Sequence, residues 1–300
     1  MNSIIACATQ THKTTTNQDY ASVIDNVKVG FRGVIVADGI GSHSRSELSS
    51  NFCAEKLKEK LEEVDSVKNI DFKAIFSQIK NDLIEFADIN LTTEEKVNNP
   101  FGTTLLCVLD LEDEYQIAYV GNGSIWQISG DFNHFGVNRY LPWNSINLLN
   151  PHTIEEDGKS KLYRFLSISE TINPSPSTII ISKNETSYGD IIVIASDGVY
   201  TNDEVRVGKD DNGIVWMMGD ETMLLLYETL KILFQSNPQE IKDEDVKFEL
   251  EKYLNALKEK KIMHDDTTLG IIISSKVIQH QQSKLDKSQS KINSIESNSN

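Results

Sequence analysis

Val34-Ile35-Val36-Ala37-Asp38-Gly39-Ile40-Gly41-Ser42-His43 is the stretch from which the rest of this chain can be read. Four apolar residues, three of them β-branched, run into an aspartate and then a glycine. Such a run suits a buried strand and is too short for a helix of its own. The strand would hold the Asp38 carboxylate rigidly at a sheet end facing water, while Gly39 lets the backbone turn sharply. The pattern returns at Ile191-Ile192-Val193-Ile194-Ala195-Ser196-Asp197-Gly198-Val199. Two more aspartates are placed alike: Asn17-Gln18-Asp19 follows the first apolar run, and Asp265-Asp266-Thr267-Thr268 leads into the last, Leu269–Ile273. Taken singly, each is more simply a strand-ending turn, because Asp-Gly is a common turn dipeptide. Several converging carboxylates, however, would repel one another unless cations neutralised them. Oxygen-only ligands suit Mg²⁺ or Mn²⁺ rather than zinc, and no Cys/His spacing typical of zinc occurs.

Outward from these motifs, further short Val/Ile-rich runs read as strands: Ile4–Ala8, Phe31–Ala37, Thr103–Leu109, Tyr115–Val120, Ile125–Ile128 and Thr178–Ser182. Asp110–Glu114 is a polar hairpin connection between two of them. Helical periodicity carries Ala54, Leu57, Leu61 and Val64, then Phe72, Ile75, Ile79, Leu83 and Phe86. It returns over Glu221–Phe234 and Val246–Leu257. Helices thus come in two consecutive pairs around a block of strands, which predicts packed sheets with helices outside them, not an alternating parallel α/β fold. Asp131 to Asn173 reads as neither clear helix nor clear strand.

Composition narrows the function. Asp and Glu number 45 against 29 Lys and Arg, a net charge of −16 with a pI near 4.8. That balance disfavours nucleic acid and anionic membrane as partners. Cys7, Cys53 and Cys107 lie in apolar runs, where a reduced cysteine acts as a small hydrophobe. The N-terminus carries no signal-like segment, no apolar run reaches membrane-spanning length, and the expectation is a cytoplasmic monomer. The domain is expected over residues 1–275, with 276–300 a disordered polar tail, because QHQQSKLDKSQSKINSIESNSN from Gln279 holds almost nothing apolar.

In order, Asp19, Ala37-Asp38-Gly39-Ile40-Gly41, Gly102-Thr103-Thr104, Gly121-Asn122-Gly123-Ser124, Ser196-Asp197-Gly198-Val199 and Asp265-Asp266-Thr267-Thr268 resemble the motifs of type 2C metal-dependent protein phosphatases. The bacterial branch, with Ala-Asp-Gly-Met-Gly-Gly, Gly-Thr-Thr, Gly-Asp-Ser-Arg, Ser-Asp-Gly-Leu and Asp-Asn-x-Thr, is the most similar. The resemblance spans Asn17 to about Ile273. It implies an α+β fold, a central sandwich of two antiparallel sheets flanked by helix pairs, with two Mn²⁺ or Mg²⁺ ions at one end. By that resemblance Asp38 bridges both metals and the Gly39 carbonyl binds one of them. Asp197 and Asp265 ligate the first metal and Asp19 the second, with Asp38 and Asp197 central to catalysis. A water activated by the metals would attack phosphoserine or phosphothreonine on protein substrates, opposing a serine/threonine kinase.

Three positions depart from the pattern. Thr14 stands where the family carries a phosphate-gripping arginine, and Lys13 or His12 would be a poorer fork. Asn122 replaces an aspartate that helps bind a third metal. His43 reads as a turn-orienting residue before a helix rather than an acid. These departures keep two alternatives open: a catalytically weak regulatory module with the same fold, and a metal-dependent nuclease, which the charge disfavours.

Overall fold

The computed structural model describes residues 3–12, 16–41, 43, 45–98, 101–129, 145–183, 188–200, 206–209, 215–218, 221–235 and 237–297. Trp143, Pro142, Lys13 and Thr14 lie outside them. The strands are β1 (Ile4–Gln10), β2 (Asp19–Asn26), β3 (Phe31–Asp38), β4 (Gly102–Thr103), β5 (Leu105–Asp110), β6 (Glu114–Val120), β7 (Ser124–Ser129) and β8 (Ser145–Asn147). They continue with β9 (Thr153–Glu156), β10 (Lys159–Leu162), β11 (Leu166–Ser167), β12 (Ser177–Ser182), β13 (Asp190–Ala195), β14 (Arg206–Lys209), β15 (Val215–Met218) and β16 (Thr267–Ile273). The helices are α1 (Ser46–Glu62), α2 (Phe72–Asn90), α3 (Thr93–Asn98), α4 (Asp197–Tyr200), α5 (Glu221–Gln235), α6 (Asp243–Glu259) and α7 (Ser275–Ser297).

Two five-stranded antiparallel sheets form the centre, in the orders β1-β16-β13-β7-β8 and β12-β6-β5-β3-β2. Side-chain alternation within single strands explains why they stack. In β3, Val34 and Val36 point into a core shared with Ile192 and Ile194 of β13, while Ile35 and Ala37 face α1 and α2. In β13, Ile191 and Val193 face α5 and α6 instead. Both faces of each central strand are therefore covered, which is why these strands read as unbroken apolar runs. The helices match their stripes: Cys53, Ala54, Leu57 and Leu61 of α1 and Ile75, Phe76, Ile79 and Leu83 of α2 are buried on one sheet. Val246, Leu250, Tyr253, Leu254 and Leu257 of α6 are buried on the other. Each such aliphatic side chain contributes about 1.5–3 kcal/mol by leaving water. Asp71 caps α2, its carboxylate accepting from the Ala74 N–H at 3.1 Å. The result is the expected four-layer α-β-β-α arrangement.

Three sequence expectations change. The polar tail is not disordered: residues 275–297 form α7, so the folded unit runs past residue 275. Val277 and Ile278 are 1% and 2% exposed and join the helical core on the β13 side, which anchors the first turn. Beyond them His280 meets the Tyr188 ring edge-on and Gln281 is buried, and Ser283, Ser288 and Ser290 donate to carbonyls four residues back. Second, Asp19–Asn26 is a strand, with Ala21, Val23 and Ile24 facing cores although its polar residues conceal the pattern. Third, the described part of 131–173 holds β8, the β9–β10 hairpin and β11. No helix among the described residues is long and apolar enough to cross a membrane.

Candidate metal centre

Sheet register brings the carboxylates to one end of the sandwich. Asp19 opens β2 directly opposite Asp38, which closes β3. In the facing sheet, Ala195 at the end of β13 pairs with Leu269 near the start of β16, so Asp197 and Asp265 flank the same edge. Asp38 is held on both sides of its peptide: its N–H donates to Thr104 Oγ1 at 3.0 Å, and its carbonyl accepts from Thr103 Oγ1 and Thr104 N–H, each at 2.8 Å. Gly39 is required here by close approach, since a Cβ would lie 2.4 Å from the Ser46 carbonyl at the start of α1. Its N–H donates to the Gln18 carbonyl at 3.1 Å, tying the end of β3 to the residue before Asp19.

The electrostatics show four acids competing for one region. Burial, then the charges of Asp19 and Asp197, the hydrogen bond to Asp19 and the charge of Asp265 push Asp38 well above the usual carboxylate range. Burial also raises Asp19 to about 7, against the pull of hydrogen bonds from Ser196, Asp38 and Thr268. Ser196 Oγ donates to Asp19 Oδ2 at 2.7 Å. Asp197 is raised by burial, opposed by Asn122, whose Nδ2 donates to its Oδ2 at 2.6 Å. Asp265 lies exposed at the rim, its Oδ1 accepting from the Asp266 N–H at 2.8 Å.

Among the described residues, no group of three or more His, Cys, Asp or Glu stands in the arrangement of a formed metal site. The donor set nevertheless fits hard divalent cations: clustered oxygen ligands with raised affinity for protons have the same surplus of negative charge that a cation relieves. Asp19, Asp38 and Asp197, with Asp265 at the rim, are the residues brought together.

Several residues with roles here escaped the sequence reading. Thr103 and Thr104 stood in a quoted motif without a function, yet they fasten Asp38. Ser196 and Asn122 are the direct partners of Asp19 and Asp197. His152 was an unplaced histidine; its N–H donates to the Gly121 carbonyl at 2.9 Å, and its Nδ1 accepts from the Gly121 N–H at 3.1 Å, so it clamps the turn carrying Asn122. His43 is 2% exposed, accepts from the Arg45 N–H through Nδ1 and meets the Phe101 ring at its edge, shaping the turn into α1. His12 is placed by its backbone, described below.

The family model described as Protein phosphatase 2C matches residues 8–255. A serine/threonine phosphatase of S. agalactiae superposes with a TM-score of 0.62 at 16% identity, covering 91% of this chain and 100% of that one. The serine/threonine phosphatase Stp1 of Staphylococcus aureus gives 0.57 at 19% identity, over 90% and 94% of the two chains. A PPM Ser-Thr phosphatase of Mycobacterium smegmatis gives 0.56 at 16% identity, over 90% and 98%. At these identities the superpositions establish the fold. No curated protein matches significantly.

Proposed function

The chain belongs to the protein phosphatase 2C family and is a protein phosphatase enzyme, and from that premise we propose that it hydrolyses phosphoserine and phosphothreonine in proteins at a binuclear Mn²⁺ or Mg²⁺ centre. The observation that carries this reading is the convergence of Asp19, Asp38 and Asp197, with raised carboxyl pKa values, on the sandwich edge where Asp265 also lies. Asp19, Asp38, the Gly39 carbonyl, Asp197 and Asp265 would hold the ions. When bound, the ions supply a water nucleophile at neutral pH and neutralise phosphoryl charge.

The protein's own work is positioning. Thr103 and Thr104 fix the Asp38 backbone, so its side chain starts from a fixed point at the edge. Ser196 orients Asp19 and Asn122 orients Asp197, each by donating to an Oδ2. Phosphorylated proteins would be the partners, with the chain acting as a monomer in opposition to a serine/threonine kinase. The acidic surface argues against nucleic acid and anionic membrane.

The test is release of phosphate from p-nitrophenyl phosphate and from a phosphothreonine peptide with Mn²⁺, Mg²⁺ or EDTA, beside Asp38→Asn. Metal-dependent release lost with EDTA and with the substitution supports the reading. Folded protein that binds Mn²⁺ yet releases nothing would replace it with the weak regulatory module, for which the neutral Asn122 is the supporting observation.

A further inference from the structure

Asp266 belongs to no role assigned above, yet its contacts reach the segments that carry Asp19, Asp197 and Asp265. It is 9% exposed, and both carboxylate oxygens are used. Oδ1 accepts from the His12 N–H at 2.8 Å and from Thr11 Oγ1 at 3.1 Å. Oδ2 accepts from the Gln18 N–H at 2.8 Å. The one side chain thus grips both ends of the connection between β1 and β2. Gln18 passes the constraint on: its carbonyl accepts from the Gly39 N–H at 3.1 Å and from Ser50 Oγ of α1 at 2.6 Å. Asp19 is the next residue. On its other flank the Asp266 N–H donates to Asp265 Oδ1, and its carbonyl lies where a Cβ on Gly198 would sit, 2.2 Å away. The start of α4 at Asp197-Gly198 can approach only because residue 198 is glycine.

We propose that Asp266 is the positioning residue of the metal centre, setting the spacing of Asp19 and Gly39 from Asp197 and Asp265 without itself ligating. The inference rests on the metal-dependent reading above. The chemistry explains why a carboxylate suits the task. Three N–H and O–H donors converge from two directions, and a carboxylate is acceptor-only on both oxygens. An asparagine keeps one accepting oxygen but turns an NH₂ group toward a donor on the other side. An alanine keeps neither, and the half-buried Gln18 and His12 amides then lose their partners.

The decisive experiment measures Mn²⁺ binding directly, by calorimetry and by the electron paramagnetic resonance of free Mn²⁺, for wild type, Asp266→Asn and Asp266→Ala, with circular dichroism to verify folding. Both variants remove the same charge, so the order between them isolates geometry. Affinity is expected to fall roughly 10-fold in Asp266→Asn and roughly 100-fold in Asp266→Ala, the range for residues that orient metal ligands. Equal loss in both would assign the effect to charge and overturn the positioning role, as would wild-type affinity in either. Thr11→Val guards against a misfolded alanine variant: it removes one bond at constant charge and is expected to weaken binding a few-fold, and no change would count against the proposal. Wild-type protein that binds no Mn²⁺ would fail the metal reading itself, a result distinct from any difference among variants.

Discussion

The two halves of the candidate centre are built differently. Asp19 and Asp38 lie in neighbouring strands of one sheet, directly across from each other, so backbone register sets their separation. Asp197 and Asp265 lie just outside the strands of the other sheet, at the start of α4 and in a loop, where the Asn122 side chain donates to Asp197 and the Asp266 backbone N–H donates to Asp265. The first half is deep and its acids are strongly raised; the second reaches the rim, with Asp265 exposed. In the metal centre proposed above, the first would be the rigid half and the second, with its exposed Asp265, the adjustable one.

Breaking the rigid half should have the largest effect. Asp38→Asn is expected to lower metal-dependent turnover by on the order of 10³-fold, since losing several kcal/mol of charge stabilisation costs about a decade per 1.4 kcal/mol. Thermal unfolding of that variant should stay at or above wild type, because an acid is removed from a repelling cluster. Turnover near wild type would remove Asp38 from the centre.

Truncation asks whether the sheet behind the adjustable half depends on α7. Ending the chain before Val277 should cost about 3–6 kcal/mol in urea unfolding, from two buried aliphatic side chains. Ending it after Leu285, beyond which Asp286, Lys287, Ser288 and Ser290 are exposed, should change stability by less than about 0.5 kcal/mol. Equal effects would mean that the outer turns are docked too.

The adjustable half can be loaded with charge. Asn122→Asp puts a further carboxylate where an amide now donates to Asp197 at 2.6 Å. Metal-free protein should lose about 1–2 kcal/mol, and Mn²⁺ should restore it by binding the folded state. A loss that Mn²⁺ does not reverse would show that the added acid faces away from the ions.

The smallest effect concerns the clamp beneath Asn122. His152 is driven down to about 4, by burial first and then by the Arg164 charge, while an unfolded histidine titrates near 6.5. Below 6.5 the unfolded chain therefore binds a proton that the folded chain refuses, so this contribution to stability is lost as pH falls from about 6.5 toward 4. Between pH 7 and 5 the loss should be on the order of 1 kcal/mol. The difference between wild type and His152→Gln isolates it from the acid cluster, whose raised pKa values act with the opposite sign. Parallel pH curves for the two proteins would show that His152 is not held neutral.

Much of this was legible from residues alone, and the exceptions share a cause. The apolar runs of β3, β13 and β16 announce strands because both faces are buried. β2 does not, since Asp19, Tyr20, Ser22 and Asp25 break its pattern, and only pairing with β3 makes it a strand. α7 was hidden because, among its described side chains, only Val277 and Ile278 join an apolar core. The acids were visible by type and order. Their supports were not, because Thr, Ser, Asn and His occur everywhere and gain a role only when folding brings a donor to an acceptor.

The sequence by itself determined the strand and helix pairs, the excess of acid and the aspartates that mark strand ends, because hydrophobic periodicity and turn chemistry act over a few neighbouring residues. Only the tertiary structure decided that Asp19 faces Asp38, that Asn122 serves Asp197 and that Asp266 grips Gln18, 248 residues away. Those relations depend on how two sheets stack and register. A hydrogen bond of 2.8 Å between distant segments leaves no mark on the residues beside it.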